Sequence, residues 1–188
     1  MNSISANLNI MIKAAEKASK VLIRDFGEVE NLQVSIKRPS DFVSNADTKA
    51  EKIIIDELAK SRKNFSILSE EVGIIEKSDK KNFWIIDPID GTNNFLHGIP
   101  HFAISIAHKS ENEIVSGVIF DPIKNEMFLA EKDQGAYLNN QKITVSKRKK
   151  IRESLILTGG PTSSEKNRSE VFKEYIKISS FCEIGFPL

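Results

Sequence analysis

Apolar residues recur at helical spacing from Ile4 through Leu8, Met11, Ile12, Ala15, Ala18 and Leu22 to Phe26, and Gly27 follows as a stop signal. This predicts one amphipathic helix over residues 4–26. Glu28 to Pro39 reads as extended, with Val34 and Ile36 on one face, and Pro39-Ser40-Asp41 as a turn. Ser44-Asn45-Ala46-Asp47 fits the capping pattern, in which a hydroxyl and an acid three positions later satisfy the first free N–H groups of a helix. A second helix carrying Ala50, Ile53, Ile54 and Leu58 is expected there. An acid in its first turn needs no catalytic explanation.

The period then changes from helix to strand. Phe65 to Leu68 and Phe83 to Ile86 read as short buried strands, separated by the charged loop Glu76 to Asn82. Phe102 to His108, Glu113 to Phe120 and Glu126 to Ala130 have strand character, and their connectors have hairpin chemistry. Gly135 to Gln141 reads as one more strand running into an Asn-rich turn. Together these form an antiparallel meander, a scaffold. Ser154 to Thr158 is another strand, Thr162-Ser163-Ser164-Glu165 caps a helix using Val171, Phe172, Tyr175 and Ile176, and Phe181 to Ile184 begins a further strand. The fold class expected is α/β, in layers of helix and sheet. Residues 1–150 form the first domain and residues 151–188 the start of an incomplete α/β second domain.

Composition narrows the function. Of 188 residues, 40% are hydrophobic and 28% charged, an ordinary globular balance, and the net charge of +1 gives no global attraction to nucleic acid or membrane. The single cysteine, Cys182, excludes an intramolecular disulfide and fits a reducing compartment. Lys13, Glu16, Lys17 and Lys20 interrupt any leader-like apolar run, so a cytoplasmic location is expected. The basic run Lys147 to Arg152 lacks interleaved aromatic residues and reads as a solvated linker in preference to a nucleic-acid contact.

The chemistry gathers where strands end. Ser69-Glu70-Glu71 follows the first short strand, and Asp87-Pro88-Ile89-Asp90 follows the second. If these strands are neighbours, Glu70, Asp87 and Asp90 converge at one edge, where they cannot all ionise without a counter-ion. Gly91-Thr92-Asn93 can open a short helix whose free N–H groups favour an anion. A cation site and an oxyanion site would then adjoin. Hard carboxylate and carbonyl oxygens suit Mg²⁺ without imidazole, so His97 and His101 read as loop residues. Cys182 has no adjacent base to make it a nucleophile.

Several motifs together resemble the inositol monophosphatase family. They are Asp41-Phe42-Val43-Ser44-Asn45-Ala46-Asp47, Ser69-Glu70-Glu71, and above all Trp84-Ile85-Ile86-Asp87-Pro88-Ile89-Asp90-Gly91-Thr92-Asn93-Asn94-Phe95, with Gly135-Ala136 to Val145 following. The resemblance implies a layered α/β Mg²⁺-dependent phosphatase, often a homodimer, acting on a small phosphorylated substrate. It implies that Glu70, Asp87 and the Ile89 carbonyl hold one Mg²⁺, and that Asp87 and Asp90 share a second. Glu70, Ile89, Asp90, Gly91 and Thr92 would line the phosphate, with Gly91 and Thr92 cradling it through backbone N–H groups. Glu70 and Thr92 would orient the attacking water, with Asp47 supporting Thr92. The family's later Trp-Asp-x-Ala-Ala-Gly element does not occur in the chain, whose only tryptophan is Trp84. That leaves three readings: a phosphomonoesterase for inositol, other polyol or sugar phosphates, or 3′-phosphoadenosine-type nucleotides; a truncated, catalytically impaired metal-binding remnant; and a regulatory protein that contacts RNA or transcription machinery.

Overall fold

Helix α1, Ala6–Leu32, turns Met11, Ala15, Ala18 and Leu22 fully inward. It does not stop at Gly27. A glycine inside a helix costs about 1 kcal/mol, and the burial of Phe26 and Val29 on either side offsets it. Helix α2, Pro39–Ser61, likewise begins earlier than the Ser44 cap predicts. Proline suits a first helical position because its missing N–H would have no partner there. Ser44 to Asp47 therefore lies inside α2, and Asp47, about two turns in, is not an N-terminal capping acid. The two helices are clasped by Lys17 and Glu57, 2.6 Å apart, and by Lys49, 3.5 Å from the buried Asp25.

A computed structural model describes residues 4–32, 39–157 and 183–185. The extended segment around Val34 and Ile36, the helix after Thr162 and Cys182 fall outside the described residues.

Eight strands form one sheet in the order β2-β1-β3-β4-β5-β6-β7-β8. Their ranges are β1 Phe65–Ser69, β2 Gly73–Ile75, β3 Asp79–Asp90, β4 Ala103–Ser110, β5 Glu113–Asp121, β6 Glu126–Glu131, β7 Gly135–Leu138 and β8 Gln141–Ile143. β1 and β3 are parallel, and every other pairing is antiparallel. Alternate residues such as Ile67, Trp84, Ile86, Ile104, Ile106 and Val118 join the core with α1 and α2. Mixed helix and sheet is the expected class. Three strands depart from expectation, one of them β8, Gln141–Ile143, which follows the expected Asn-rich turn. β2 is only three residues long, too short for a period to show, and the charged segment before Phe83 is largely strand, because β3 starts at Asp79. The Asp79 carboxylate secures that start by accepting the N–H groups of Lys81 (2.9 Å) and Asn82 (3.0 Å).

By its internal contacts the chain falls into two compact units, Met1–Ile143 and Thr144–Leu188. In the second, β9, Leu155–Leu157, pairs in parallel with β10, Glu183–Gly185, and residues 144–153 are exposed. Among the described residues no helix is long and apolar enough to cross a membrane.

A polar chain closes one end of the first unit. Arg62 Nε donates to Asn7 Oδ1 at 2.8 Å, and Asn7 Nδ2 lies 3.3 Å from His108 Nδ1. His108 Nε2 lies 3.0 Å from Asn82 Oδ1, and Asn82 Nδ2 donates to Asp79 at 2.9 Å. Arginine can only donate and an ionised carboxylate can only accept, so the two ends fix both amides. His108 must then accept at Nδ1 and donate from Nε2, which is the neutral ring. It also stacks on Phe65 at 5.3 Å. Burial, then the Arg62 charge, lowers its pKa, against weaker opposing pulls from Asp79 and Glu131.

A histidine held neutral contributes stability above its unfolded pKa, near 6.5, that is lost as pH falls through the lower folded value. His108→Ala should cost about 2–4 kcal/mol at pH 8, through lost packing and unpaired amides. In denaturant unfolding that cost should narrow below about pH 6.5. A pH-independent penalty would contradict the neutral-ring assignment.

Candidate active site

The parallel ladder sets Ser69 beside Ile86, so β1 and β3 end at the same edge. Glu70 continues the pairing through its N–H to the Ile86 carbonyl, 3.2 Å. Glu70 to Val72 then form the tight β1–β2 turn, which closes at Gly73 with φ 73°, in the left-handed region.

β3 ends in a bulge. Asp87 pairs with Ser105 and Asp90 with Ala103, so β3 advances by one residue more than β4. Pro88, with no N–H to give the ladder, falls inside that irregularity. Pro88 and Ile89 are both buried, which breaks the alternation and leaves Asp87 half-buried and Asp90 exposed at the rim. Asp87 Oδ1 accepts the Ile89 N–H at 3.1 Å.

Gly91 turns the chain from strand to helix with φ 97°. A Cβ there would stand 3.0 Å from the His101 carbonyl oxygen and 3.3 Å from Phe102 Cα, so both conformation and space require glycine. The five-residue helix α3, Thr92–Leu96, follows. It is seated by three rings: Phe95 lies 5.5 Å from Phe26 and 4.9 Å from Phe102. Thr92 Oγ1 donates to the Ile89 carbonyl at 2.9 Å, which ties the helix start back to the bulge. That hydroxyl was expected beside Asp47; among the described residues its hydrogen bond goes to Ile89.

Electrostatics draws the acids into one group. Asp47 is 4% exposed, and burial, followed by the charges of Glu71, Glu70, Asp87 and Glu51, pushes its carboxyl up to about 7. Asp87 is also raised to about 7, by burial, the charge of Glu70, a hydrogen bond with Glu70 and the charge of Asp90, against the Ile89 N–H. Two carboxyls can share a hydrogen bond only if one holds a proton. Among the described residues, the charges acting most strongly on both carboxyls are themselves carboxylates.

Such a donor set fits a hard divalent cation, whose charge would replace the proton. The Ile89 carbonyl adds a neutral oxygen beside it. Among the described residues no three His, Cys, Asp or Glu side chains already form a metal cluster. A cation would therefore draw the carboxyls inward. The histidines are used locally: His97 Nδ1 donates to the Asn93 carbonyl at 2.7 Å, and His101 Nδ1 lies 3.3 Å from Lys124 Nζ.

The structure thus places Glu70 and Asp87 within electrostatic range of Asp47, and Glu70 and Asp90 within range of Asp87, with Ile89, Gly91 and Thr92 along the turn that follows. Sequence reasoning passes over Glu51, which is 1% exposed. Its i+4 spacing from Asp47, on a face otherwise filled by Ala46, Ala50 and Ile54, is the signal that could have found it.

A model of the inositol monophosphatase family matches residues 5–182 of the chain. The inositol-1-monophosphatase of Rhizobium meliloti (strain 1021) is 49% identical over 170 residues, 90% of this chain and 64% of that protein. The Nus factor SuhB of Haemophilus influenzae is 40% identical over 159 residues, 85% of this chain and 60% of that protein. The crystal structure of extragenic suppressor protein suhB from Bartonella henselae matches with a TM-score of 0.86 at 46% identity, covering 97% of this chain and 70% of that one. The chain therefore spans less than two thirds of the length of these two curated relatives.

The raised acids carry a stability signature. A carboxyl whose pKa is higher in the fold favours folding below its unfolded value of 3.8, and that contribution is lost as pH rises through about 7. Asp47→Asn should therefore raise the melting temperature of the divalent-free protein by a few degrees at pH 8 and change it little at pH 5. Equal shifts at both pH values, measured by thermal unfolding, would contradict a buried carboxyl titrating near neutrality.

Proposed function

The chain belongs to the inositol monophosphatase family, and on that footing we propose that it serves Mg²⁺-dependent hydrolysis of a phosphomonoester, an inositol monophosphate or a related polyol or sugar phosphate. The observation that carries this reading is the pair Glu70 and Asp87, each directly following the last paired residues of two parallel strands, Ser69 and Ile86, so that the charge of Glu70 acts on Asp87 at one edge.

In this reading Glu70, Asp87, Asp90 and the Ile89 carbonyl hold the ion. When bound, Mg²⁺ supplies positive charge at the phosphate and makes a water more acidic. The chain's own residues do the rest. The backbone N–H groups of Gly91 and Thr92 receive phosphate oxygens where the bulge turns into α3. Thr92, restrained by its bond to the Ile89 carbonyl, and Glu70 orient the attacking water. Asp47, raised towards neutrality, holds or releases a proton at the edge of the group. The single cysteine and near-neutral composition favour a cytoplasmic setting.

A second reading has its own support in the exposed basic segment Lys147 to Arg152 and in the likeness to proteins named Nus factor SuhB: contact with RNA or transcription machinery through the second unit.

Phosphate release from inositol monophosphate by the 188-residue chain separates them. Release should require Mg²⁺ and fall by roughly 10²-fold or more in Asp87→Asn and Glu70→Gln. Release that persists without Mg²⁺, or that is unchanged in Asp87→Asn, would overturn the phosphatase reading. No release, with RNA binding that vanishes when Lys147 to Lys150 are neutralised, would favour the second.

A further inference from the structure

Glu51 lies one helical turn beyond Asp47 on the inward face of α2, 1% exposed, between Ala50 and Ile54 in sequence register with the core. A carboxylate buried on an apolar helix face is costly unless donors surround it. Its donors come from one place. Oε1 accepts the Ser69 hydroxyl, the Glu71 N–H at 3.3 Å and the Val72 N–H at 3.2 Å. Those three residues bracket Glu70. The Glu70 N–H itself is taken by the Ile86 carbonyl of β3 at 3.2 Å.

The β1–β2 turn is thus held from two sides, by β3 through Glu70 and by α2 through Glu51. Turn N–H groups usually face water, and a mobile turn would let the Glu70 carboxyl swing away from Asp87. Resting on the metal reading above, we infer that Glu51 is a positioning residue: it anchors the turn from Ser69 to Val72 so that Glu70 stays against Asp87 in the geometry that takes up the divalent cation. It acts through the backbone around Glu70 and does not itself touch the cation or the phosphate. The same bonds tie Asp47 and Glu70 to one rigid unit, because Asp47 and Glu51 share a helix face.

The test compares the full chain with Glu51→Ala and Glu51→Gln, and with Asp87→Asn as a control for the metal reading itself. Three quantities are read: Mg²⁺ affinity by calorimetry, amide hydrogen exchange at Glu71 and Val72, and kcat against KM for phosphate release. Glu51→Ala should weaken Mg²⁺ binding about tenfold or more. It should speed exchange at Glu71 and Val72 while core amides stay protected, and it should lower kcat more than it raises KM. Glu51→Gln keeps an acceptor oxygen and should recover most of the affinity and protection. If Glu51→Ala does not fold, Glu51→Asp, one methylene short of the turn, carries the same expectations.

Loss of Mg²⁺ binding in Asp87→Asn, with unchanged affinity in Glu51→Ala, would overturn the positioning role and leave the metal reading standing. Equal weakening in Glu51→Ala and Glu51→Gln would also overturn it, since charge and not turn anchoring would then be responsible. If the unaltered chain takes up no Mg²⁺, both readings fall.

Discussion

Pairing β1 with β3 in parallel, with Ser69 beside Ile86 as the last pair, sends the next residue of each chain towards the same edge, and those residues are Glu70 and Asp87. An antiparallel pairing would have put the two acids at opposite ends of the ladder. Everything at the site follows from this register. Glu70 extends the ladder by one bond to Ile86, the Pro88-Ile89 bulge re-aims β3, and Gly91 reverses the chain into α3. The cost is a concentration of negative charge at a half-buried edge, seen in the carboxyls of Asp47 and Asp87 pushed up to about 7. A cation is the general remedy for such a cost.

The two ends of the sheet solve opposite problems. At the far end, the chain from Arg62 through Asn7, His108 and Asn82 to Asp79 satisfies its polar groups internally, with a cation at one terminus and an anion at the other. At the strand ends, the charges that act on Asp47 and Asp87 among the described residues are those of other acids. The first arrangement balances its charges internally; the second is the one a bound cation would balance. Helices α1 and α2 connect them. α1 supplies Asn7 at one end and Phe26 at the other, and α2 supplies Arg62 just beyond its end and Asp47 and Glu51 along its inner face.

Much of this was legible in the residues. A buried strand followed at once by acids, and a glycine and threonine after them, mark the strand edge and the short helix, whereas the strand itself runs on through a bulge to Asp90. The two helices and the meander also follow from periodicity. What periodicity misjudged were boundaries. Gly27 reads as a stop, but burial of Phe26 and Val29 carries α1 through it. Ser44 reads as a cap, but Pro39 opens α2 earlier, and this removes the local explanation for Asp47 as a first-turn acid. Glu51 was passed over because one acid in an amphipathic helix looks solvated; its spacing from Asp47 on an apolar face hinted at burial, but the donors it meets lie in the β1–β2 turn, and β2 is three residues long. The parallel pairing could be posed from sequence only as a condition, since strand order is a property of the whole sheet.

The central claim is that the edge shared by β1 and β3 is a divalent-cation site. Soaking crystals of the chain in Mn²⁺ and collecting anomalous diffraction at the manganese edge tests it directly. The account predicts an anomalous peak within about 2–2.5 Å of carboxylate oxygens from both Glu70 and Asp87. Absence of a peak there, with the two carboxyls still sharing a proton at saturating Mn²⁺, would contradict it.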